Sequence, residues 1–516
     1  MKKRLIGLLL AVGMILSLFP VSAFAEEAAE PTTKEVSTVE KLESAIDAIN
    51  KADSGVFVIK LNANIDLQSD ADITLNRNTT TLLGGGYSLR GGGSQTLSVK
   101  GSAVLNLGGQ DGTDVLTFDG NNQDITAVSV SGKAQLNMYD GVTIENYTDS
   151  GVQVGAGAGF EMHGGTIQNC SANQNGGGVA VSGERNGNTQ AVTLATFTMS
   201  GGTIKNCTAV DEGGGVTADY ANITLSGGSI ENCSASKGGG INFEDGKFTM
   251  SGGTISGCEA SSKDTGGGGI AITNSAGDID LEFTGGSITN NRADSGNGGG
   301  IYVISMGNFE AVKSVTITGN HAAVNGGGIY IIASQSLDMS STTNILCNNT
   351  ADTEGADIYI CDGSIKLPAA ASMNQNYGTT GHKIDGWYLD NTTERYTPNE
   401  YGKAQDVTAA VSGPRGLTAS YKRARYAVKV TAPDSSYGAE AKVGGSKVES
   451  ALEDEPVYLS YDDTALKEGE TFEKWTVTAA NDKSVEVKQD TDGAYYFVMP
   501  GSDVTVVLGI CPVGEG

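Results

Sequence analysis

Proline, histidine and tryptophan are scarce in this chain of 516 residues, at 9, 3 and 2, and its 33 Lys and Arg face 60 Asp and Glu. Each shortage excludes something. With so little proline, and glycines that keep no strict third-residue period, collagen is out. His163, His321 and His382 lie far apart and no Cys-x-x-Cys occurs, so neither a zinc motif nor a Ser/His/Asp constellation can be read. No metal or other cofactor is expected. A formal charge of −27 disfavours nucleic acid and anionic membranes as partners, and solubility is the plain reading of so acidic a surface. The Gly-Gly-x-Gly-x-Asp calcium nonapeptide is missing too.

Long apolar runs are absent beyond the N-terminus. There, Lys2, Lys3 and Arg4 precede Leu5 to Phe19, and Ala23-Phe24-Ala25 offers small residues for cleavage. This pattern predicts a secretory signal over residues 1–25, and a mature chain that is secreted or held at the cell surface without spanning the membrane. No Leu-Pro-x-Thr-Gly sorting motif follows.

What the chain does have is 74 glycines. Six Gly-Gly-Gly-(Val/Ile) runs recur between Gly176 and Ile329, and Gly-Gly-(Thr/Ser)-Ile blocks alternate with them. One unit reads Ser200-Gly201-Gly202-Thr203-Ile204-Lys205-Asn206-Cys207, then Gly213-Gly214-Gly215-Val216. Cys170, Cys207, Cys233 and Cys258 share one register. Asn291, Asn320 and Asn348 are read as continuing it, at successive spacings of 37, 26, 25, 33, 29 and 28 residues. A period of this length marks a solenoid, whose units bury their apolar faces only by stacking. Within a unit, Phe197-Thr198-Met199 and Ile223-Thr224-Leu225 alternate with period two, so the units are short strands. Glycine and asparagine supply the corners. Helical repeats would need helix formers, and no leucine-rich lattice is present. The fold class is therefore all-β, a parallel β-helix, and the resemblance that follows implies that it is right-handed.

The paired Gly-Gly-(Thr/Ser)-Ile and Gly-Gly-Gly-Ile motifs resemble the repeats of right-handed β-helix surface proteins, including adhesin-like polymorphic membrane proteins. The resemblance runs from about Val56 to Ala370. It implies the fold more than the role, because pectin-cleaving enzymes, phage tailspikes and adhesins share the coil. Further on, Gly469-Glu470-Thr471-Phe472-Glu473-Lys474-Trp475 and Phe497-Val498-Met499-Pro500-Gly501-Ser502-Asp503-Val504 resemble the B-repeats of internalin-like proteins, which implies a stalk-type module.

The expected organisation is a signal at 1–25, a linker and capping helix at 26–55, the β-helix at 56–375, and a β-rich cap or connector at 376–424. A small β domain at 425–511 and a tail at 512–516 complete it. Glu26 to Glu35 reads as a disordered lead. Ser37 to Glu40 reads as a capping box opening a helix with Val39, Leu42, Ile46 and Ile49 on one face. That helix would cover the open end of the solenoid. Insertions are expected at Ser182 to Ala195 and at Ile304 to Lys313.

The cysteines are expected to form a packed column rather than disulfides, and Asn169, Asn206 and Asn232 to be corner residues rather than glycosylation sites. Acidic pairs such as Asp211-Glu212 and Glu244-Asp245 read as solvated charge at corners. One outward row stands out: Ala180, Thr217, Asn242, Ala271, Tyr302, Tyr330 and Tyr359. Its three tyrosines would form an aromatic strip for a glycan or a cell-surface protein. The functional expectation is adhesion or ligand display, with a polysaccharide lyase or hydrolase and a non-catalytic spacer as alternatives.

Overall fold

A computed structural model describes residues 31–512 except 68–72, 275–278, 306–307, 310–311, 339–343, 368–381, 390–394, 397–404, 407–414, 424, 453–454, 481 and 501. The signal, the tail beyond Pro512 and much of 376–424 lie outside the described residues. The chain winds as a right-handed parallel β-helix of about eleven coils. Its strands stack into three parallel arrays: a 20-stranded sheet of two merged ladders, a sheet that adds antiparallel strands at its C-terminal end, and a 7-stranded sheet of two-residue strands. The two ladders merge because Gly246–Ser256 and Ile279–Thr289 run through the corner between them.

The solenoid begins earlier than expected. Thr32–Val36 is a strand paired in parallel with Val56–Leu61, which corrects the reading of this stretch as a disordered lead. The helix Val39–Lys51 follows. Its N-cap is Thr38, whose hydroxyl accepts from Lys41 N at 3.4 Å, one residue later than a box on Ser37 would place it. Leu42, Ala45, Ile46 and Ile49 are buried in the solenoid core. Asn78 Nδ2 donates to Ile49 O at 2.7 Å and so ties the helix end to the first coils.

Inside, each coil contributes the same inward residues. Ile167, Ile204, Ile230, Ile255, Ile288 and Ile317 pair in register, all buried. Beside them run Cys170, Cys207, Cys233 and Cys258, fully buried and free. Each thiol of the last three donates weakly to a carbonyl two residues back, at 3.4 to 3.5 Å. The column then changes chemistry. Asn291 Nδ2 donates to Asn320 Oδ1 at 3.0 Å and Asn320 Nδ2 to Asn349 Oδ1 at 2.9 Å, a ladder of buried amides. Its last rung is Asn349, not Asn348. Leu346, rather than Ile345, pairs with Ile317, and Asn348 takes the left-handed corner at φ 57°. Asn169, Asn206 and Asn232 occupy the same corner at φ 55°, 53° and 53°.

The proposed insert at Ser182 to Ala195 forms a small antiparallel hairpin, Glu184–Arg185 against Val192–Thr193. The one at Ile304 to Lys313 is partly coil instead: Ile301–Ser305 continues the second sheet and Asn308–Phe309 pairs with Asp280 and Leu281. At the C-terminal end, Arg415–Arg423 pairs antiparallel with Ile358–Leu367 and with His382–Leu389. A small β domain follows, with two five-stranded sheets around a separate core that includes Val428, Tyr437, Trp475, Phe497 and Val506.

Candidate functional site

The outward row on the second sheet has the register the alternation predicts. Ser129, Gln153, Ala180, Thr217, Asn242, Ala271, Tyr302, Tyr330 and Tyr359 are successive strand partners. At its far end the three tyrosines stack, with ring centroids 5.3 and 5.4 Å apart and planes within 5° and 2°. Tyr302 and Tyr330 are nevertheless 1% and 7% exposed, and only Tyr359 is half-buried. Burial pushes the Tyr302 phenol up to about 12, and Tyr330 is raised by burial first and by Cys361 next. Tyr302 Oη donates to Asp264 O at 3.4 Å. The strip exists, but its first two rings are packed rather than presented.

The open surface lies at the other end of the same row. A groove of about 640 Å³ runs over the second sheet between Asp124 and Glu244. Its floor is two outward rows: Ser129, Gln153, Ala180 and Thr217, then Ser131, Gly155, Ser182, Asp219 and Glu244. Small side chains at Ala180 and Gly155 make the surface concave. One rim comes from the corners before the strands, with Asp124, Asp149, Asn173, Asn175 and Glu212. The hairpin formed by the expected insert leaves the other side directly after Ser182. Thus the insert borders the groove, which sequence periodicity had no means of showing.

The lining holds five carboxylates and no Lys, Arg or His. Asp149 Oδ2 accepts from Thr126 Oγ1 at 2.9 Å and Gln153 Nε2 at 3.0 Å, so its geometry is fixed. Glu212 pairs with Lys237 at 2.6 Å. Asn242, fully buried beneath the acidic end, donates from Nδ2 to Glu212 Oε2 at 3.2 Å and to Glu244 Oε1 at 3.4 Å. Burial first, and the neighbouring Glu212 and Asp219 next, raise the Glu244 carboxyl above its ordinary range. Asp219 is raised by burial and then by Asp245 and Glu212. This corrects the reading of Glu212 and Glu244 as solvated corner charges, whereas Asp211 is exposed as that reading expects. Glu212 and Glu244 belong to different coils, and the stacking brings both to one amide.

Among the described residues, no three His, Cys, Asp or Glu side chains are placed to hold a metal ion, and no helix is long and apolar enough to cross a membrane. Compared with protein-family models, curated proteins and solved structures, the chain matches none. The likeness to β-helix surface proteins and internalin-type repeats therefore rests on the quoted motifs.

Proposed function

We propose that the protein is an exported ligand-display solenoid, adhesin-like in role, whose second-sheet groove binds an extended glycan. The observation that carries this is the groove itself: an open, polar trough crossing successive coils, with hydroxyls and amides at strand spacing and a hairpin at its edge. A rigid coil spaces such groups about 4.8 Å apart, which suits a polymer lying along the axis. The carboxylates repel uronates, so the ligand is neutral or cationic. The signal-like N-terminus supports delivery to the cell exterior.

A glycan array with the mature chain, followed by calorimetry on the best ligand, tests this reading. Replacing Ala180 at the centre of the floor by Tyr should abolish binding while leaving the far-ultraviolet spectrum and melting temperature near the parent's. A bound glycan indifferent to Ala180→Tyr would place the site elsewhere.

One observation favours a second reading, glycoside hydrolysis. Glu244 and Asp219 have raised carboxyl pKa values, as a general acid requires, beside other carboxylates on the same groove. Release of reducing ends from a bound polysaccharide would decide for this reading, and its absence for display alone.

A further inference from the structure

We infer that Ser200, His163 and Glu161 form a nucleophilic site, at the end of strands of the 20-stranded sheet, that transfers the acyl group of a small, unhindered ester to water. None of the three lines the groove, so this activity is separate from glycan display. The histidines are scattered along the sequence, and only stacking sets one beside a hydroxyl. Because Met162 pairs with Met199, the residues that follow them, His163 and Ser200, meet on neighbouring coils.

His163 Nδ1 lies 3.3 Å from Ser200 Oγ, and His163 Nε2 lies 3.3 Å from Glu161 Oε2. An ionised carboxylate only accepts, so Nε2 of the neutral ring carries the proton and Nδ1 is left to accept from the Ser200 hydroxyl. That is the tautomer a general base needs. Tyr139, one coil back, stacks on the imidazole with centroids 5.1 Å apart and planes within 14°, which holds the ring in place. The His163 and Glu161 side chains are 37% and 49% exposed and Ser200 is exposed too, so an ester reaches them from solvent.

The repeat supplies a contrast. Ser226 occupies the Ser200 place one coil on, and its hydroxyl turns to Met199 O at 3.5 Å rather than to an imidazole. A free donor stands near Ser200 as well. Gly165 N–H donates to Asp140 Oδ1 at 3.2 Å, but one coil later Gly164 takes the place of Asp140 and offers Gly202 N–H no side chain. Among the described residues Gly202 N–H has no acceptor, and it is two residues from the nucleophile. A carbonyl oxygen gaining negative charge supplies one. His321 meets Thr350 Oγ1 at 2.9 Å in a similar way, yet its carboxylate, Asp352, stands 3.9 Å off, too far to fix a tautomer.

In the reaction, Ser200 Oγ bonds to the ester carbonyl carbon as its proton passes to His163 Nδ1. The bond from that carbon to the alcohol oxygen breaks, and the alcohol leaves with the proton. Water then repeats the sequence on the acyl-serine, releasing the carboxylic acid and restoring Ser200, with no change of oxidation state. Glu161 keeps its charge throughout and acts as a positioning residue.

The experiment treats the full mature chain with a fluorophosphonate and, separately, with 4-nitrophenyl acetate. The phosphonate should label Ser200, read by mass spectrometry, and the parent should hydrolyse the ester about a hundredfold faster than Ser200→Ala or His163→Ala. Ser226→Ala should keep the parent's label and rate. Glu161→Gln should lower kcat with KM unchanged, and Glu161→Asp should restore part of the loss. All five substitutions lie on the surface and should retain the parent's circular dichroism. Hydrolysis by Ser200→Ala at the parent's rate would overturn the site. So would phosphonate spread evenly over other serines, or labelling of Ser200 that is as fast without His163.

Discussion

Gly215 lies against Cys233 of the next coil so closely that a methyl group built on it would meet Cys233 Sγ at 3.4 Å, Ile230 Cγ2 at 2.6 Å and Gly240 O at 2.6 Å. Gly178 and Gly240 repeat this contact with Cys207 and Cys258. The third glycine of each triplet is thus a packing residue. The first, such as Gly213 at φ 64°, is a conformational one. Gly215→Ala should lower stability by about 2 kcal/mol or more, because backbone and a branched side chain must both shift. Denaturant unfolding of the variant checks it. A change below the measurement error would mean that the coils separate easily.

The four stacked thiols are packing, not a covalent framework. All are fully buried and free, and each lies within a stack of isoleucine and glycine. Cys207→Ala should cost about 1 kcal/mol, as a small buried deletion does. Mild reduction should leave the β spectrum unchanged. Loss of that spectrum on reduction would show that rungs are bridged.

Removing an amide from the neighbouring ladder is more serious. Asn320 donates to Ile288 O and Asn349 Oδ1, both at 2.9 Å, and accepts from Asn291 N and Nδ2. Asn320→Ala strands several buried groups and should cost roughly 3 kcal/mol or more, against about 1 kcal/mol for the cysteine. Comparable losses at the two sites would mean that water replaces the missing amide.

Glu244 provides a pH signature. Its folded pKa is raised from 4.5, so the folded state holds its proton more firmly than the unfolded state does. Stability from this group is therefore greatest below the unfolded value and falls as pH rises through 4.5 toward the raised folded value. Glu244→Gln should be more stable than the parent at neutral pH, with the gap closing in acid. Parallel melting curves across that range measure it, and a gap that widens in acid would reverse the assignment.

The tyrosines now make a structural prediction. Read as an exposed platform, Tyr302, Tyr330 and Tyr359 could all become Ala in a chain that folds as before. With Tyr330 at 7% exposure and ring-stacked on both sides, Tyr330→Ala alone should cost about 3 kcal/mol. Thermal melting of the single variant separates the two views.

The coil was legible because its constraints repeat. Ile204, Ile230 and Ile255 must point inward on every turn, and the residue after Glu231 must accept a left-handed corner, so both leave a period in the sequence. The register slipped at Asn348 because Ile345 and Leu346 are both apolar, and alternation cannot choose between adjacent apolar residues. The early strand Thr32–Val36 was missed for another reason: its Thr, Lys and Glu are polar, and only pairing with Val56–Leu61 makes it a strand.

The sequence alone determined the β-helix, its capping helix and the inward columns, since burial and positive φ restrict which residues can occur at each repeated place. The tertiary structure decided what the outer face does. Outward positions have no packing requirement that every coil repeats, so one row changes from Ser129 and Ala180 to the stacked Tyr302 and Tyr330. Whether Tyr330 is covered, or Glu212 and Glu244 meet at Asn242, depends on how loops of unequal length place different coils side by side. The groove belongs to that second category, because its floor comes from several coils and its shape from the smallness of Gly155 and Ala180.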